Sequence, residues 1–489
     1  MATSRDRRPD QHAAPQERPA NAGGQVQQMR SRAQRPTHGA HARPTATVPK
    51  RRSPLVPIIV LILTLVFMGL VGVLVFRSCS KRSGNEPAAA DESQAVVEEA
   101  VVDEGPQPVN VNLMMVGDML FHYQVRMSGL APDGSRNYDH LFAHVLSELA
   151  DQDIKVINQE TPIAGPIYEG SAPDGYDGYP EFNGPQEVGD AEARAGFNVI
   201  LKATNHAMDN SGNFDDPYTL VRSEQNFWRN NHPEVAVIGE ANPDVEGASV
   251  DDIYVFEKDG FRIALLNFTQ DLNGNEGYDY LGMVSMLNED HVRSVMARAR
   301  EMSDMIVVFP HWGEEYNLEP VEEQYGWANL FVEEGADVII GNHPHVMEPV
   351  TTFTGADGRI VPCFWSTGNF VSTSPSDESL VGLIAKVTLT KDPDGNCSVT
   401  AASATPIVTH LGQSTDMTTY LLRDCNDDLA ATNWLDTEIN PSTYNTTLTP
   451  AWADEFCLQV LGPGFDVNRK VLDVNLTPSL PTTTDGELA

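Results

Sequence analysis

Cysteine is scarce in this chain: five occur in 489 residues. None has CxxC spacing, which argues against a thiolate zinc site. Basic residues are few as well, 32 Lys and Arg against 69 Asp and Glu, for a formal net charge of -37. A nucleic-acid binder carries a basic patch or a high pI, so that class is excluded. No internal repeat is present, and a long uncharged apolar run occurs only once. What remains is ample core material. Hydrophobic residues make up 41% and charged residues 21%, with a mean hydropathy of -0.29. A wholly disordered chain is ruled out. The length suggests about three domains of roughly 150 residues each.

The average charge hides a split. Residues 1–53 carry eleven basic and three acidic residues, or +8, leaving 21 basic against 66 acidic beyond them, or -45. The apolar run, Leu55 to Phe76, lies at this boundary. A helix needs about 20 apolar residues to cross a hydrocarbon core. Segment 54–77 is therefore expected to be a single transmembrane helix. The excess of basic residues before it predicts a cytoplasmic N-terminus and an extracytoplasmic main domain. A cleaved signal peptide would be shorter and nearer the start, so a retained anchor is expected. The 1–53 arm should be disordered, its charge setting topology. Residues 78–109 form an acidic linker. Cys79 is either lipidated or a spectator thiol. Cys363, Cys397, Cys425 and Cys457 would be outside the membrane, where disulfides form; Cys425 with Cys457 is the suggested pair.

From Asn110, short apolar runs alternate with helical stretches, as in a fold of βαβ units. Strands are expected at 111–117, 154–158, 198–203, 304–310 and 336–341. Helices are expected at 138–149, 185–197, 291–302 and 322–335, with a hairpin over 254–268 turning at Asp259-Gly260. Polar residues follow the strands directly: Asp118, Glu160, Asn205-His206, His311, and His343 with His345. Ligands bind beyond the carboxyl ends of such strands. Any one of these groups alone reads as a turn, a cap or a packed histidine. Together they deliver metal-competent side chains to one rim. Imidazole and carboxylate suit divalent transition ions, and a carboxylate can bridge two of them. With no nucleophilic Ser or Cys motif beside them, metal-activated water is the natural nucleophile.

GDMLFH (117–122), NQETPI (158–163), ATNHAMDNSG (203–212), PHWGEEY (310–316), GNHPHVMEPV (341–350) and WSTGNFV (365–371) occur in this order. Together they resemble the CapA family, poly-γ-glutamate capsule proteins within the calcineurin-like metallophosphoesterase superfamily. The resemblance covers residues 110–375. It implies an α/β fold, a four-layer αββα metallophosphoesterase-like sandwich, holding two divalent metal ions (Mn, Fe or Zn). It assigns Asp118 and His345 to the first metal and Glu160 to the bridge. Asn205, His311 and His343 would bind the second metal. His206 would be the general acid, with Asp209 orienting it. Trp312 and Glu314 would shape the substrate pocket, with Ser366, Gly368 and Asn369 in a turn at its edge. One departure stands out. Superfamily members usually have Asp-x-His at the first motif, whereas this chain has Asp118-Met119-Leu120, and His122 is expected to face away. Thr204 and Asn342 also depart from the family pattern without removing an assigned ligand.

Residues 376–473 should complete or cover the domain, with a disordered tail at 474–489. Two functions remain open. One is an anchored metal-dependent hydrolase acting on a capsule or cell-surface polymer, with a general metallophosphoesterase as a variant. The other is a non-catalytic assembly component that binds poly-γ-glutamate, with other capsule-synthesis membrane proteins as partners. A polyanion meeting a -45 domain needs local cations: the metals, with Arg126, Arg136 or Arg194.

Overall fold

The computed structural model describes residues 105–166, 176–374, 376–412, 416–433, 435 and 448–477. These belong to one compact unit, Val101–Ala489. The basic arm, the 54–77 segment, nearly all of the linker and residues 478–489 lie outside the described residues. Among the described residues, no helix is long and apolar enough to cross a membrane.

Val109–Met119 (β1), Ile154–Asn158 (β2), Val199–Leu201 (β3) and Ala236–Ile238 (β4) pair in parallel, in that order. Tyr254–Lys258 (β5) and Phe261–Thr269 (β6) start a second sheet as a hairpin. Its turn is the expected Asp259-Gly260, with φ of 51° and 76°. Two positive φ values match the twist of the flanking strands. Met305–His311 (β7), Val338–Ile340 (β8), Val350–Thr354 (β9) and Ile360–Phe364 (β10) complete the sheet, in the order β5-β6-β7-β8-β10-β9. The chain then returns to the first sheet. Asn369–Val371 (β11) pairs in parallel with the end of β1. Val381–Lys391 (β12), Cys397–Leu411 (β13), Met417–Leu421 (β14), Phe465–Asp466 (β15) and Val471–Asp473 (β16) follow. β12 runs antiparallel along nearly the whole of β1. Residues beyond 375 thus supply strands to the heart of the first sheet.

Alternation decides how the layers pack. Ile263 and Leu265 of β6, Val307 and Phe309 of β7, and Val338 and Ile340 of β8 enter a core shared with β1 and β12. Ala264, Leu266, Ile306, Val308 and Ile339 face the other way, into a separate core. That core is closed by helices Glu289–Met302 and Glu322–Glu333 through Val292, Val295, Met296, Ala328 and Phe331. On the first sheet, Val188 of helix Glu187–Ala195 and Trp228 of helix Thr219–Asn231 belong to the same buried core as Ile157 and Ile200, which share one face of the sheet.

Three expectations change. The helix expected over 138–149 is broken into a turn at Asp139–Leu141 and a short helix at Leu146–Leu149. The Thr418 hydroxyl donates to the His140 carbonyl, which a continuous helix would use internally. Helix Thr219–Asn231 is unexpected from the sequence, because polar Glu224 and Gln225 sit within its buried stripe. All four described cysteines are free thiols, so Cys425 and Cys457 do not form the suggested bridge. Cys457 is buried in the core on helix Pro450–Leu461, whereas Cys425 is only partly buried.

The end of β1 is bent by shifts of register beside Gly117 and Asp118. Such bulges re-aim a side chain. A Cβ on Gly117 would lie 1.8 Å from the Gly368 carbonyl oxygen. That oxygen also accepts the Asp118 N–H, so it cannot retreat freely. Gly117→Ala is expected to destabilise the fold by about 1–3 kcal/mol or more through overpacking. Urea unfolding checks this, and an unchanged midpoint would contradict the close approach.

Candidate metal centre

Five strand ends meet at one buried cluster. β1 delivers Asp118, the residues after β2 deliver Glu160, and those after β3 deliver Asn205 and His206. β7 ends on His311, and the loop after β8 carries His343 and His345. All are 5% exposed or less. The loop residues are held in an uncommon backbone state. His343 has φ 102° and His345 has φ 58°. Positive φ in non-glycine residues is costly and persists where the surroundings enforce it, often at functional sites.

Two donor groups share one member. Asp118, Glu160 and His345 each offer an atom within 4.8 Å of the others, and so do Glu160, His311 and His343. Glu160 Oε1 lies 3.6 Å from His311 Nε2, 3.7 Å from His345 Nε2 and 4.0 Å from His206 Nε2. These distances are too long for hydrogen bonds. Both Glu160 carboxylate oxygens are fully buried and have no hydrogen-bond partner. A buried unpaired carboxylate is expensive unless a cation satisfies it. At the second group, His311 Nε2 lies 2.9 Å from Asn205 Oδ1 and 3.2 Å from His343 Nδ1. Lone-pair atoms converge there with too few protons to pair them all. The donor set therefore fits divalent cations, with Glu160 common to both groups.

Electrostatics distinguish the donors. Burial pushes the Asp118 carboxyl up, but the hydrogen bond and charge of His345 outweigh it and hold the group below its usual value. Glu160 is lifted by burial and by Asp118, and drawn lower on balance by His345 and His311. His343 is driven well below the imidazole range by burial, then by His311 and His345. A neutral imidazole has a lone pair to offer a metal. His345 is lowered by burial but lifted to about 9 by Glu160 and Asp118.

Two asparagines outside the expected set complete the shell. Asn158 and Asn342 each donate to Asp118 Oδ1 at 2.7 Å. Both lie inside the strand-end motifs, Asn342 at a position that departs from the family pattern. Such outer partners orient a ligand. His122 is half-buried, and its Nδ1 accepts the Thr373 N–H at 3.2 Å. It belongs to neither donor group.

His206 Nδ1 lies 2.7 Å from Asp209 Oδ2, leaving Nε2 to face Glu160. Asp209 is itself fixed by the Phe182 N–H at 2.6 Å, and the Phe182 ring meets His206 edge-on at 4.8 Å. Burial would lower the imidazole, but Asp209 wins and raises it above its ordinary value. Asn273, on the loop after β6, lies 3.4 Å from the same nitrogen. No sequence signal marked it.

The remaining pocket residues have distinct environments. Trp312 is fully buried and stacks on Trp365 at 5.6 Å, its indole N–H donating to the Trp365 carbonyl. Glu314 is exposed. Ser366 donates to the Val346 carbonyl and accepts the Gly368 N–H. Asn369 Nδ2 donates to the His345 carbonyl at 3.0 Å and to that of Ser379 at 3.1 Å, pinning the backbone of a donor residue. The three arginines are engaged. Arg126 is buried and holds the Phe121 and Asp177 carbonyls, Arg136 bonds the Arg126 carbonyl, and Arg194 pairs with Asp139.

Comparison with known proteins supplies a context. The model of the family described as "Bacterial capsule synthesis protein PGA_cap" matches residues 112–374. The chain is 28% identical over 210 residues to "PGA biosynthesis protein CapA" of Bacillus subtilis (strain 168), covering 42% of this chain and 50% of that one. It is 27% identical over 288 residues to "Capsule biosynthesis protein CapA" of Bacillus anthracis, covering 55% and 63%. The chain thus spans only half to under two thirds of these relatives' length. Among solved structures, NAD nucleotidase (NadN) of Haemophilus influenzae aligns at 12% identity and TM-score 0.34, over 60% of this chain and 56% of that one. Purple acid phosphatase PPD1 from yellow lupin seeds aligns at 10% identity and TM-score 0.24, over 64% and 54%.

Proposed function

Because the chain belongs to the bacterial capsule synthesis protein (PGA_cap) family, we propose that it is a membrane-anchored, metal-dependent hydrolase of capsule or cell-surface polymer biosynthesis. The two sheets and their flanking helices read as a four-layer αββα sandwich with the centre at the strand ends. The observation that carries this reading is Glu160, a buried carboxylate without a hydrogen bond, shared by two donor groups. Asp118 and His345 would hold one cation, and Asn205, His311 and His343 the other. Two divalent cations supply charge that polarises a scissile group and acidifies a water. Manganese, iron and zinc all suit this mixture of donors. The chain's own part is to orient and to move a proton. His206, held by Asp209 and charged more readily than a free imidazole, is suited to protonate a leaving group from Nε2.

A second reading, a polymer-binding assembly component, draws on the first donor group. Beyond the shared Glu160 it holds only Asp118 and His345, and Asp118 Oδ1 is already engaged by two amides. Family relatives make poly-γ-glutamate the first polymer to try in either case. Partner membrane proteins and an extracytoplasmic site follow from the 54–77 segment and are proposals too.

The test uses the purified full chain in detergent. Bound metal is measured by elemental analysis, and turnover is followed on poly-γ-glutamate and generic phosphoesters. Metal with turnover lost on chelation is the expected result. Turnover that survives chelation would refute the metal reading, and metal without turnover favours the assembly role. His206→Ala is expected to lower turnover by about 10²–10⁴-fold, in line with loss of a general acid, while bound metal stays the same. Turnover unchanged in this variant would remove His206 from its role.

A further inference from the structure

A buried ion pair lies behind the bridging carboxylate. Lys202, just past β3, and Glu224, on helix Thr219–Asn231, are 0% and 1% exposed in their side chains and 3.2 Å apart. Lys202 Nζ donates to the Gln159 carbonyl at 2.9 Å. Glu224 Oε2 accepts the Ile163 N–H at 3.1 Å. Gln159 and Ile163 are the two ends of the short loop that carries Glu160. The Gln159 carbonyl belongs to the peptide group that leads into Glu160. The peptide on its other side is reached from the same β3 segment, where the Thr204 hydroxyl donates to the Glu160 carbonyl at 3.4 Å. Residues 202–206 thus grip the Glu160 loop and also deliver Asn205 and His206.

A fold needs no ion pair in this place. Replacing a buried pair with apolar residues of similar volume is often neutral or stabilising, because both charges must be stripped of water. Glu192, nearby, is also fully buried and has no partner for either carboxylate oxygen. Burial, then the Glu224 charge, pushes it well above the carboxylate range, so it holds its proton. Glu240, raised to about 8 chiefly by burial, also lies near both charges. The direct contact is that of the Lys202 ammonium with the Glu224 carboxyl, each also committed to the backbone of a single loop.

We propose that the Lys202–Glu224 pair positions the bridging ligand: it pins both ends of the Gln159–Ile163 loop so that Glu160 reaches both cations at once. Neither residue touches metal or substrate, so these are positioning residues. The inference rests on the dinuclear reading above. It predicts that metal affinity depends on the pair in variants that remain folded.

The test compares the full chain with the double variant Lys202→Met/Glu224→Leu. Urea unfolding without metal reports stability, calorimetric titration with Mn²⁺ reports affinity, and electron paramagnetic resonance reports whether two Mn²⁺ ions are coupled. The double variant is expected to regain most of the stability that Lys202→Met alone loses, short of the wild-type midpoint by what the unpaired Gln159 carbonyl and Ile163 N–H cost. It should bind Mn²⁺ at least tenfold more weakly and lose the coupled signal. Glu224→Gln, which keeps an acceptor for Ile163, guards against misfolding of the double variant and should lose about two- to fivefold in affinity. Wild-type affinity and an intact coupled signal in a folded variant would overturn the positioning role alone. A wild-type chain that binds no Mn²⁺ would overturn the dinuclear reading along with it.

Discussion

Glu160→Gln is expected to lower bound divalent metal from about two equivalents per chain to about one or none, with turnover lost in step. A carboxylate offers two anionic oxygens to two cations, whereas an amide offers one neutral oxygen. Both Glu160 oxygens are buried and unpaired by hydrogen bonds, so the change removes the shared member of both donor groups. The consequence extends to stability. A ligand that binds only the folded state adds about 2.7 kcal/mol at a hundred times its Kd. The wild-type melting temperature should therefore drop on chelation, and the variant's should drop less or not at all. Elemental analysis and thermal unfolding, each with and without chelator, check both parts. Two metals retained with an unchanged melting temperature would remove Glu160 from the bridge.

Lys202→Met alone is expected to be the most damaging single change to the fold, costing about 3–5 kcal/mol. It takes the compensating cation from Glu224, a carboxyl that burial raises and Lys202 draws down, and leaves the Gln159 carbonyl without its donor. Adding Glu224→Leu should recover most of that loss, because the uncompensated charge goes with it. Chemical denaturation of both variants gives the comparison. A single variant as stable as the double would mean that water or a proton already compensates Glu224.

The strand ends were legible because local pattern carries them. Apolar runs such as those ending at Asp118 and His311 mark buried parallel strands, and donors placed directly after them must lie at the sheet's carboxyl edge. The fold brings Asp118, Glu160 and His345 together, and Glu160 with His311 and His343, with Asn205 beside the second group. Less visible were partners whose role depends on distance in the chain. Asn158 and Asn342 are 184 positions apart yet bond the same Asp118 oxygen. Glu224 broke the apolar stripe of its helix, so the helix itself was missed. Cys425 and Cys457 were paired on compartment alone, which says nothing about geometry.

By itself the sequence determined the charge split, the long apolar segment, the βαβ alternation, the family motifs and the kinds of donor at each strand end. These are properties of residue type and short-range spacing. Tertiary structure decided which donors come together in one group, that β12 lies beside β1, and that amides hold Asp118. It also decided that an ion pair from β3 and helix Thr219–Asn231 grips the loop of Glu160. Those outcomes depend on sheet order, on the positive φ of His343 and His345, and on which charges are enclosed together. Each arises from contacts between segments far apart in the chain, so no local pattern encodes it.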